Sequence, residues 1–302
     1  MADVDQVPME RLPEDYEWFK EQIAGHHQSI VKNGERQIGS LICFLKEKSG
    51  DLILKLVQEG VRGECEVQVY TRLAELRNQS TVEDEAVDEN NADNAETEIL
   101  IRQLAPLVPE YHGITTITIG SKEREFIKLE DVTVNFNQPC IMDIKMGKVT
   151  FDPLATAEKS AREMSKYPEQ KKLGFRLLGY RLHHEESDVK IADKKWGLSW
   201  SSENIDDAFN DYLQLANNKR DDVLKIFNAR LREIHEWFSQ QRLYHFYASS
   251  LLLVYDSAPR DDGSPLANIW MIDFSHTFPA CKSTDQNYMF GLKRVCEIFK
   301  RL

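Results

Sequence analysis

The stretch from Pro139 to Gly147, PCIMDIKMG, sets an acid and a base two residues apart inside an otherwise apolar run. In an extended strand side chains alternate between faces. Asp143 and Lys145 then project the same way together with Ile141, while Met142, Ile144 and Met146 project the other way. Burying such a pair for stability alone gains little, because desolvation cancels much of the attraction. A carboxylate and an ammonium presented together beside Gly147 therefore invite a functional reading, with a structural ion pair on a half-buried strand as the alternative. Three further features carry charge in unusual places. Lys55 interrupts the apolar run DLILKLVQ, Asp273 ends the apolar strand Ile269 to Ile272, and residues 159 to 181 carry seven bases against two acids, Glu163 and Glu169. Taken singly, each has an ordinary explanation: a lysine on an open sheet face, a turn residue at a strand end, a solvated helix face.

The elements that must hold these residues follow from local pattern. RQIGSLICFLK and DLILKLVQ flank Ser49, Gly50 and Asp51 and predict a β-hairpin over 36 to 58. A helix over 62 to 77 follows, with Val67, Tyr70, Leu73, Ala74 and Leu76 near helical spacing and Glu66 in its first turns. Residues 78 to 98 hold eight acids, no base and no aromatic residue, which predicts a disordered insertion. A helix is expected over 100 to 107, then a strand over 126 to 132, with a hinge at 129 to 133. Asp152 as N-cap and Pro153 at the first position predict a helix over 153 to 166, with Lys159, Arg162 and Lys166 on one face. Helices over 203 to 216 and 221 to 240, a hairpin of 249 to 256 with 268 to 274, and a last helix over 288 to 301 complete the pattern.

Pro-x-x-x-Asp-x-Lys-x-Gly resembles the signature of the inositol polyphosphate kinases. SSLLLVYD, from Ser249 to Asp256, resembles the family's Ser-Leu-Leu segment, and IDFSH, from Ile272 to His276, resembles its Ile-Asp-Phe metal motif. The three occur in the expected order, and the resemblance spans residues 25 to 300. It implies an α+β, two-lobed fold with antiparallel sheets, related to protein-kinase-like architecture. The implied organisation is an acidic tail over 1 to 24, an N-terminal lobe over 25 to 128, the hinge, and a C-terminal lobe over 134 to 302 whose segment 153 to 181 binds inositol phosphate.

Phosphoryl transfer requires ATP to be held, its phosphates neutralised and a hydroxyl aligned with the γ-phosphorus. The resemblance implies that Lys55 binds the ATP phosphates, with Glu66 orienting it, and that Glu130 and Val132 offer hinge backbone to adenine. Asp131 is expected to be a solvated loop acid. Asp273 is the expected Mg²⁺ ligand, with Ser250 in support. Lys145 is expected to bridge the transferring phosphoryl group and the substrate hydroxyl, and Asp143 either accepts the hydroxyl proton or holds the ribose. Lys159, Arg162, Lys166 and His276 are implied in substrate binding, with Arg181 a weaker candidate; His183 and His184 receive no role.

The short segment after the signature, with Phe151-Asp-Pro and Ser165-Lys-Tyr-Pro, is similar to the multikinases of the family. That similarity implies 6- and 3-kinase activity on inositol 1,4,5-trisphosphate and tetrakisphosphates, giving the pentakisphosphate, with phosphatidylinositol 4,5-bisphosphate as an additional substrate. Arg162 and Glu163 stand where the multikinase pattern has glutamines, which leaves regiochemistry and lipid use open. The alternatives are a trisphosphate 3-kinase-like enzyme and a non-catalytic scaffold that binds basic partners through its acidic segments.

The net charge of −12 sits mostly in the tail and the insert, leaving a nearly neutral body, so phosphate binding is not excluded. The acidic balance and the lack of a basic stripe argue against nucleic-acid binding. Five scattered cysteines (Cys43, Cys65, Cys140, Cys281, Cys296), none in Cys-x-x-Cys spacing, argue against a disulfide framework or a zinc site. No apolar run approaches the roughly 20 residues that cross a bilayer. A soluble monomer of nucleus and cytoplasm is expected, using ATP and Mg²⁺.

Overall fold

The computed structural model describes residues 12–19, 21–23, 31–32, 35–36, 44–78, 92–185, 188–258 and 266–302. Its first half contains β1 (Tyr16–Trp18), β2 (Val31–Lys32), β3 (Glu35–Arg36), β4 (Phe44–Glu47), β5 (Leu52–Leu56), α1 (Val61–Asn78), α2 (Ala92–Leu104), β6 (Tyr111–Ile119) and β7 (Lys122–Glu130). These build a five-stranded antiparallel sheet in the order β1-β4-β5-β7-β6. The second half begins with β8 (Pro139–Met146), α3 (Ala157–Ser165), α4 (Gln170–Leu173), β9 (Phe175–Glu185), β10 (Asp188–Ala192), α5 (Lys194–Leu198) and α6 (Ile205–Tyr212). It ends with α7 (Arg220–Gln240), β11 (Tyr244–Phe246), β12 (Ser250–Asp256), β13 (Ala267–Ile272), β14 (Thr277–Pro279) and α8 (Gln286–Arg301). Its sheet is also antiparallel, in the order β10-β9-β8-β12-β13. The fold is the expected α+β architecture, two five-stranded sheets with helices, together with the two-stranded ladders β2-β3 and β11-β14.

β8 lies at the centre of the second sheet, which explains its apolar composition. Met142, Ile144 and Met146 are fully buried in the main core, with Phe175, Leu177, Leu251 and Leu253 from the flanking strands. α7 covers that face because Val223, Leu224, Phe227, Leu231, Ile234 and Phe238 recur at helical spacing and are all buried. α8 packs on α7; Asp285 caps it by accepting from Tyr288 N at 2.9 Å and also binds Phe246 N at 2.7 Å. Val69, Tyr70, Leu73 and Leu76 of α1, with Leu100, Ile101 and Leu104 of α2, belong to the same core. One apolar cluster therefore spans both halves of the molecule.

Several local expectations change. α2 begins at Ala92, so 92 to 98 are helical where disorder was expected; the turn anchored by Leu100, Ile101 and Leu104 propagates backward, and extending a formed helix costs little. The rest of that insert, 79 to 91, lies outside the described residues, as do 37 to 43 of the first hairpin and 259 to 265 of the loop before β13. Tyr16–Trp18, inside the expected tail, pairs with β4 as an edge strand. α3 starts at Ala157 with Thr156 as its cap, accepting from Lys159 N at 3.2 Å, and not at Pro153. Asp152 caps only a turn, through Leu154 N at 3.0 Å, because its other oxygen is engaged elsewhere. The helix expected over 203 to 216 ends at Tyr212 and continues as a 3-10 turn, Leu213–Leu215. Cys65, Cys140, Cys281 and Cys296 are free thiols, and Cys43 lies outside the described residues. Among the described residues no helix is long and apolar enough to cross a membrane.

A β-bulge in β9 sets which side chains reach the cleft. Asp143 pairs with Gly179 and Ile144 with Leu177, so Leu178 is an extra residue and the alternation shifts by one. Tyr180 and Leu182 can then face the core while Arg176 and Leu178 face away from it. Gly179 makes this possible: its φ is +141°, and a Cβ there would lie 2.1 Å from the Ala192 carbonyl oxygen. Gly179→Ala should therefore lose on the order of 2–4 kcal/mol in urea unfolding; a loss under about 0.5 kcal/mol would mean that the bulge relaxes without cost.

Candidate functional site

A cavity of about 1460 Å³ opens between the two sheets. β8 presents Ile141, Asp143 and Lys145 to it, as strand alternation predicts. Gly147 ends the strand at φ +108°, with Asn287 packed so close that a Cβ would lie 2.5 Å from its amide nitrogen. The signature glycine thus lets α8 approach the end of the strand; Asn287 also bonds Val149 N and O at 3.0 Å each.

The first sheet contributes Lys55, in the middle of β5. Its Nζ lies 2.6 Å from Glu66 Oε1 on α1 and 2.5 Å from Asp273 Oδ1, just beyond β13. Glu66 is completely buried and receives two more bonds, from Phe274 N at 3.0 Å and Ser275 Oγ at 2.8 Å. Burial alone would lower the Lys55 pKa, but Asp273 and Glu66 outweigh it and raise it above the ordinary lysine value. Asp273 is itself held below the ordinary carboxylate range because Lys55 and Lys145 overcome its burial. Its backbone sits at φ +66°, a left-handed conformation that aspartate tolerates better than most residues. The lysine sequence reading found on an open strand is therefore a buried clamp between three elements.

Asp143 behaves differently from Asp273. Burial, followed by the neighbouring Asp273 charge, pushes it up to about 7, although Lys145 pulls the other way. Lys145 is lowered by burial despite Asp273 and Asp143. Asp143 Oδ1 and Ser250 Oγ, both buried, have no partner in good hydrogen-bond geometry among the described residues, although the Ser250 hydroxyl is near enough to pull the Asp143 pKa down in part. Ser250 stands directly opposite Lys145 on β12. Two unfilled buried oxygens beside the exposed part of Asp273 form an oxygen-rich donor set that fits a hard divalent cation shared with phosphate.

At the mouth, Glu130 and Val132 line the cavity. Asp131 is not the solvated acid expected from sequence. It is buried, its carboxylate binds Lys46 Nζ at 2.6 Å, and its other oxygen accepts from Thr133 N at 3.0 Å and Thr133 Oγ1 at 2.6 Å. That carboxylate organises the turn between β7 and β8.

Of the substrate candidates His276 lines the far end of the cavity, while Lys159, Arg162 and Lys166 are not among its lining residues. The His276 Nδ1 lies 2.8 Å from Asp152 Oδ2, which also lies 3.6 Å from Lys159 Nζ. Burial and then Arg62 lower the His276 pKa in spite of Asp152, which favours the neutral ring. Asp152 was missed as a site residue because the Asp-Pro pair reads as a helix cap. Lys166, just past the end of α3, is paired with Glu163 on that helix, and Arg162 is exposed. Arg181 is engaged elsewhere: Glu21 Oε2 takes it at 3.1 Å and His183 at 2.9 Å.

A two-sheet fold with this cleft has known counterparts. The model of the family described as inositol polyphosphate kinase matches residues 126–300, and the chain belongs to that family. The inositol polyphosphate multikinase of Rattus norvegicus is 31% identical over 255 residues, covering 84% of this chain and 57% of the relative. Inositol hexakisphosphate kinase 3 of Mus musculus is 29% identical over 202 residues, 59% of this chain and 51% of the relative. The crystal structure of the inositol phosphate multikinase Ipk2 from S. cerevisiae, in complex with ADP and Mn²⁺, superposes with a TM-score of 0.63 at 22% identity. That match covers 83% of this chain and 99% of the other. The chain spans just over half the length of the curated relatives it matches.

The raised Asp143 pKa predicts a pH dependence. An aspartate carries its proton in the unfolded chain only below about 4, whereas folded, metal-free protein keeps it to about 7. The folded state therefore binds more protons between these values, and stability falls as pH rises through them. Asp143→Asn removes this term: it should be more stable than wild type at pH 8 by on the order of 2–4 kcal/mol, with the difference vanishing near pH 4. Urea unfolding of metal- and nucleotide-free protein at both pH values checks it.

Proposed function

We propose that this chain transfers the γ-phosphate of ATP to hydroxyls of soluble inositol polyphosphates. The observation that carries this is the convergence of Lys55, clamped by Glu66 and Asp273, with Asp143 and Lys145 in one cleft. Lys55 is preorganised as a cation for ATP phosphates, since its geometry is fixed before nucleotide arrives. Glu130 and Val132 present hinge backbone where adenine would lie. Asp273, with the unfilled oxygens of Asp143 and Ser250, would hold Mg²⁺, which when bound neutralises phosphate charge. The structure of the yeast relative in complex with ADP and Mn²⁺ supports nucleotide and divalent-metal use.

Lys145 is the group that meets the acceptor hydroxyl and the transferring phosphoryl group, stabilising charge as it develops. Its lowered pKa reflects a desolvated ammonium whose field is little screened. Asp143, one alternation away on the same face, takes the hydroxyl proton or holds the ribose. His276, neutral and fixed by Asp152, offers its free ring nitrogen to the acceptor. Lys159, Arg162 and Lys166 supply charge for the acceptor phosphates.

The finer reading is multikinase specificity: 6- and 3-phosphorylation of inositol 1,4,5-trisphosphate and tetrakisphosphates to the pentakisphosphate. The nine-residue α3, with no buried residue, supports it, because so small and open a substrate helix fits several phosphate patterns. Phosphatidylinositol 4,5-bisphosphate is a further acceptor on the same argument. With Mg-ATP and inositol 1,4,5-trisphosphate, successive tetrakis- and pentakisphosphate products are expected by chromatography and phosphorus NMR. Arrest at the 1,3,4,5-tetrakisphosphate would instead assign a 3-kinase.

Lys145→Ala should lower kcat by about 1000-fold or more with only a small change in thermal unfolding. Retention of near wild-type kcat at saturating Mg-ATP would refute the assigned chemistry. Lys159→Ala should chiefly raise the acceptor KM, by on the order of 10-fold, and a loss confined to kcat would count against its role.

A further inference from the structure

One buried cation is unused by this chemistry. Arg176 on β9 is only 6% exposed and stands directly opposite Lys145, which stands opposite Ser250. Residues opposed across antiparallel strands share a face. Ser250, Lys145 and Arg176 therefore form one row across β12, β8 and β9 on the cleft side of the sheet. Among the described residues nothing accepts a hydrogen bond from Arg176 Nε or Nη1. A guanidinium keeps its charge in proteins, and leaving its donors unfilled in a buried place is costly.

The surroundings are short of negative charge. Burial disfavours the Arg176 charge, and Glu163 on α3, then Asp143, partly offset this. Glu163 is already bonded to Lys166 and also faces Arg162. On the other side, Lys194 at the start of α5 is held low by burial and then by the charges of Arg176 and Lys166. A structural ion pair would match one acid to one base and fill the donors. Here Glu163 is shared among Lys166, Arg176 and Arg162, and two Arg176 nitrogens remain without an acceptor. What the cluster lacks is an anion with several oxygens and more than one charge, which a phosphate monoester supplies.

We propose that Arg176 binds a phosphate of the acceptor, and that Glu163 is a resident counter-ion which this phosphate displaces. The inference rests on the reading of the cleft as an inositol polyphosphate site. Opposed side chains begin roughly 5 Å apart at Cβ, so the phosphate that Arg176 reads is a neighbour of the hydroxyl at Lys145. Acceptors carrying a phosphate there are favoured over those without one.

The test compares wild type, Arg176→Leu, Arg176→Lys and Glu163→Gln. Acceptor kinetics use inositol 1,4,5-trisphosphate with Mg-ATP, and calorimetry measures binding of the same trisphosphate without nucleotide. Arg176→Leu is expected to raise acceptor KM and Kd by on the order of 10- to 100-fold while ATP KM stays within about twofold. Arg176→Lys should recover part of the loss, since an ammonium cannot form the two-pronged contact, and it carries the test if the leucine variant fails to fold. Glu163→Gln should lower acceptor KM severalfold, the opposite sign. Unchanged acceptor KM and Kd in the Arg176 variants would make this a structural pair and overturn the proposal; a rise in KM for Glu163→Gln would overturn displacement. If wild type binds the trisphosphate without turnover, the kinase reading fails, and the calorimetric comparison still judges Arg176. Wild type that neither binds nor turns over overturns both.

Discussion

The cleft depends on one ammonium held between two carboxylates. Lys55 comes from the first sheet, Glu66 from α1 and Asp273 from the end of the second sheet. An isolated buried charge would be prohibitively expensive, so each member needs the others in place before it can stay ionised. The arrangement is self-consistent only when α1 docks against the loop after β13, because Glu66 also receives Phe274 N and Ser275 Oγ. Packing of Tyr70 against Phe274, edge to face at 5.3 Å, supports the same junction with apolar contact. Electrostatics and core packing thus specify one mutual placement of the two sheets.

Around that clamp the two cleft aspartates are driven in opposite directions by their environments. Asp273 faces two lysines and is held ionised, whereas Asp143 is more enclosed, lies beside that negative charge and is pushed up. Two carboxylates with separated pKa values in one site can serve unlike tasks, one holding charge and the other exchanging a proton. The difference arises from sheet position: Asp143 is mid-strand at the sheet centre, and Asp273 projects from a strand end into the opening.

Much of this was legible in the sequence because the chemistry sits on strands with clean alternation. β8 gave away both its faces, since Met142, Ile144 and Met146 are uninterrupted on one side and Asp143 and Lys145 on the other. α7 was legible from its buried stripe. Three things were hidden. Asp152 reads as a helix cap, and only the three-dimensional approach of His276 and Lys159 reveals its engagement. Asp131 reads as a loop acid because its partner, Lys46, is 85 residues away. Arg176 was hidden by the bulge at Leu178 and Gly179, which breaks the period-two rule needed to assign its face.

The bonds on Glu66 also bear on how such a cleft could move. In many two-lobed kinases the helix carrying this glutamate swings outward, so the lysine pair itself becomes the switch. Here the carboxylate is fastened to the backbone and a hydroxyl of the opposite half as well as to Lys55. Rotating α1 away would strip a fully buried anion of three donors at once. The two halves of the cleft are joined at this point by three contacts on one buried carboxylate. In the kinase proposed above, this joint would leave α1 little freedom to act as a switch.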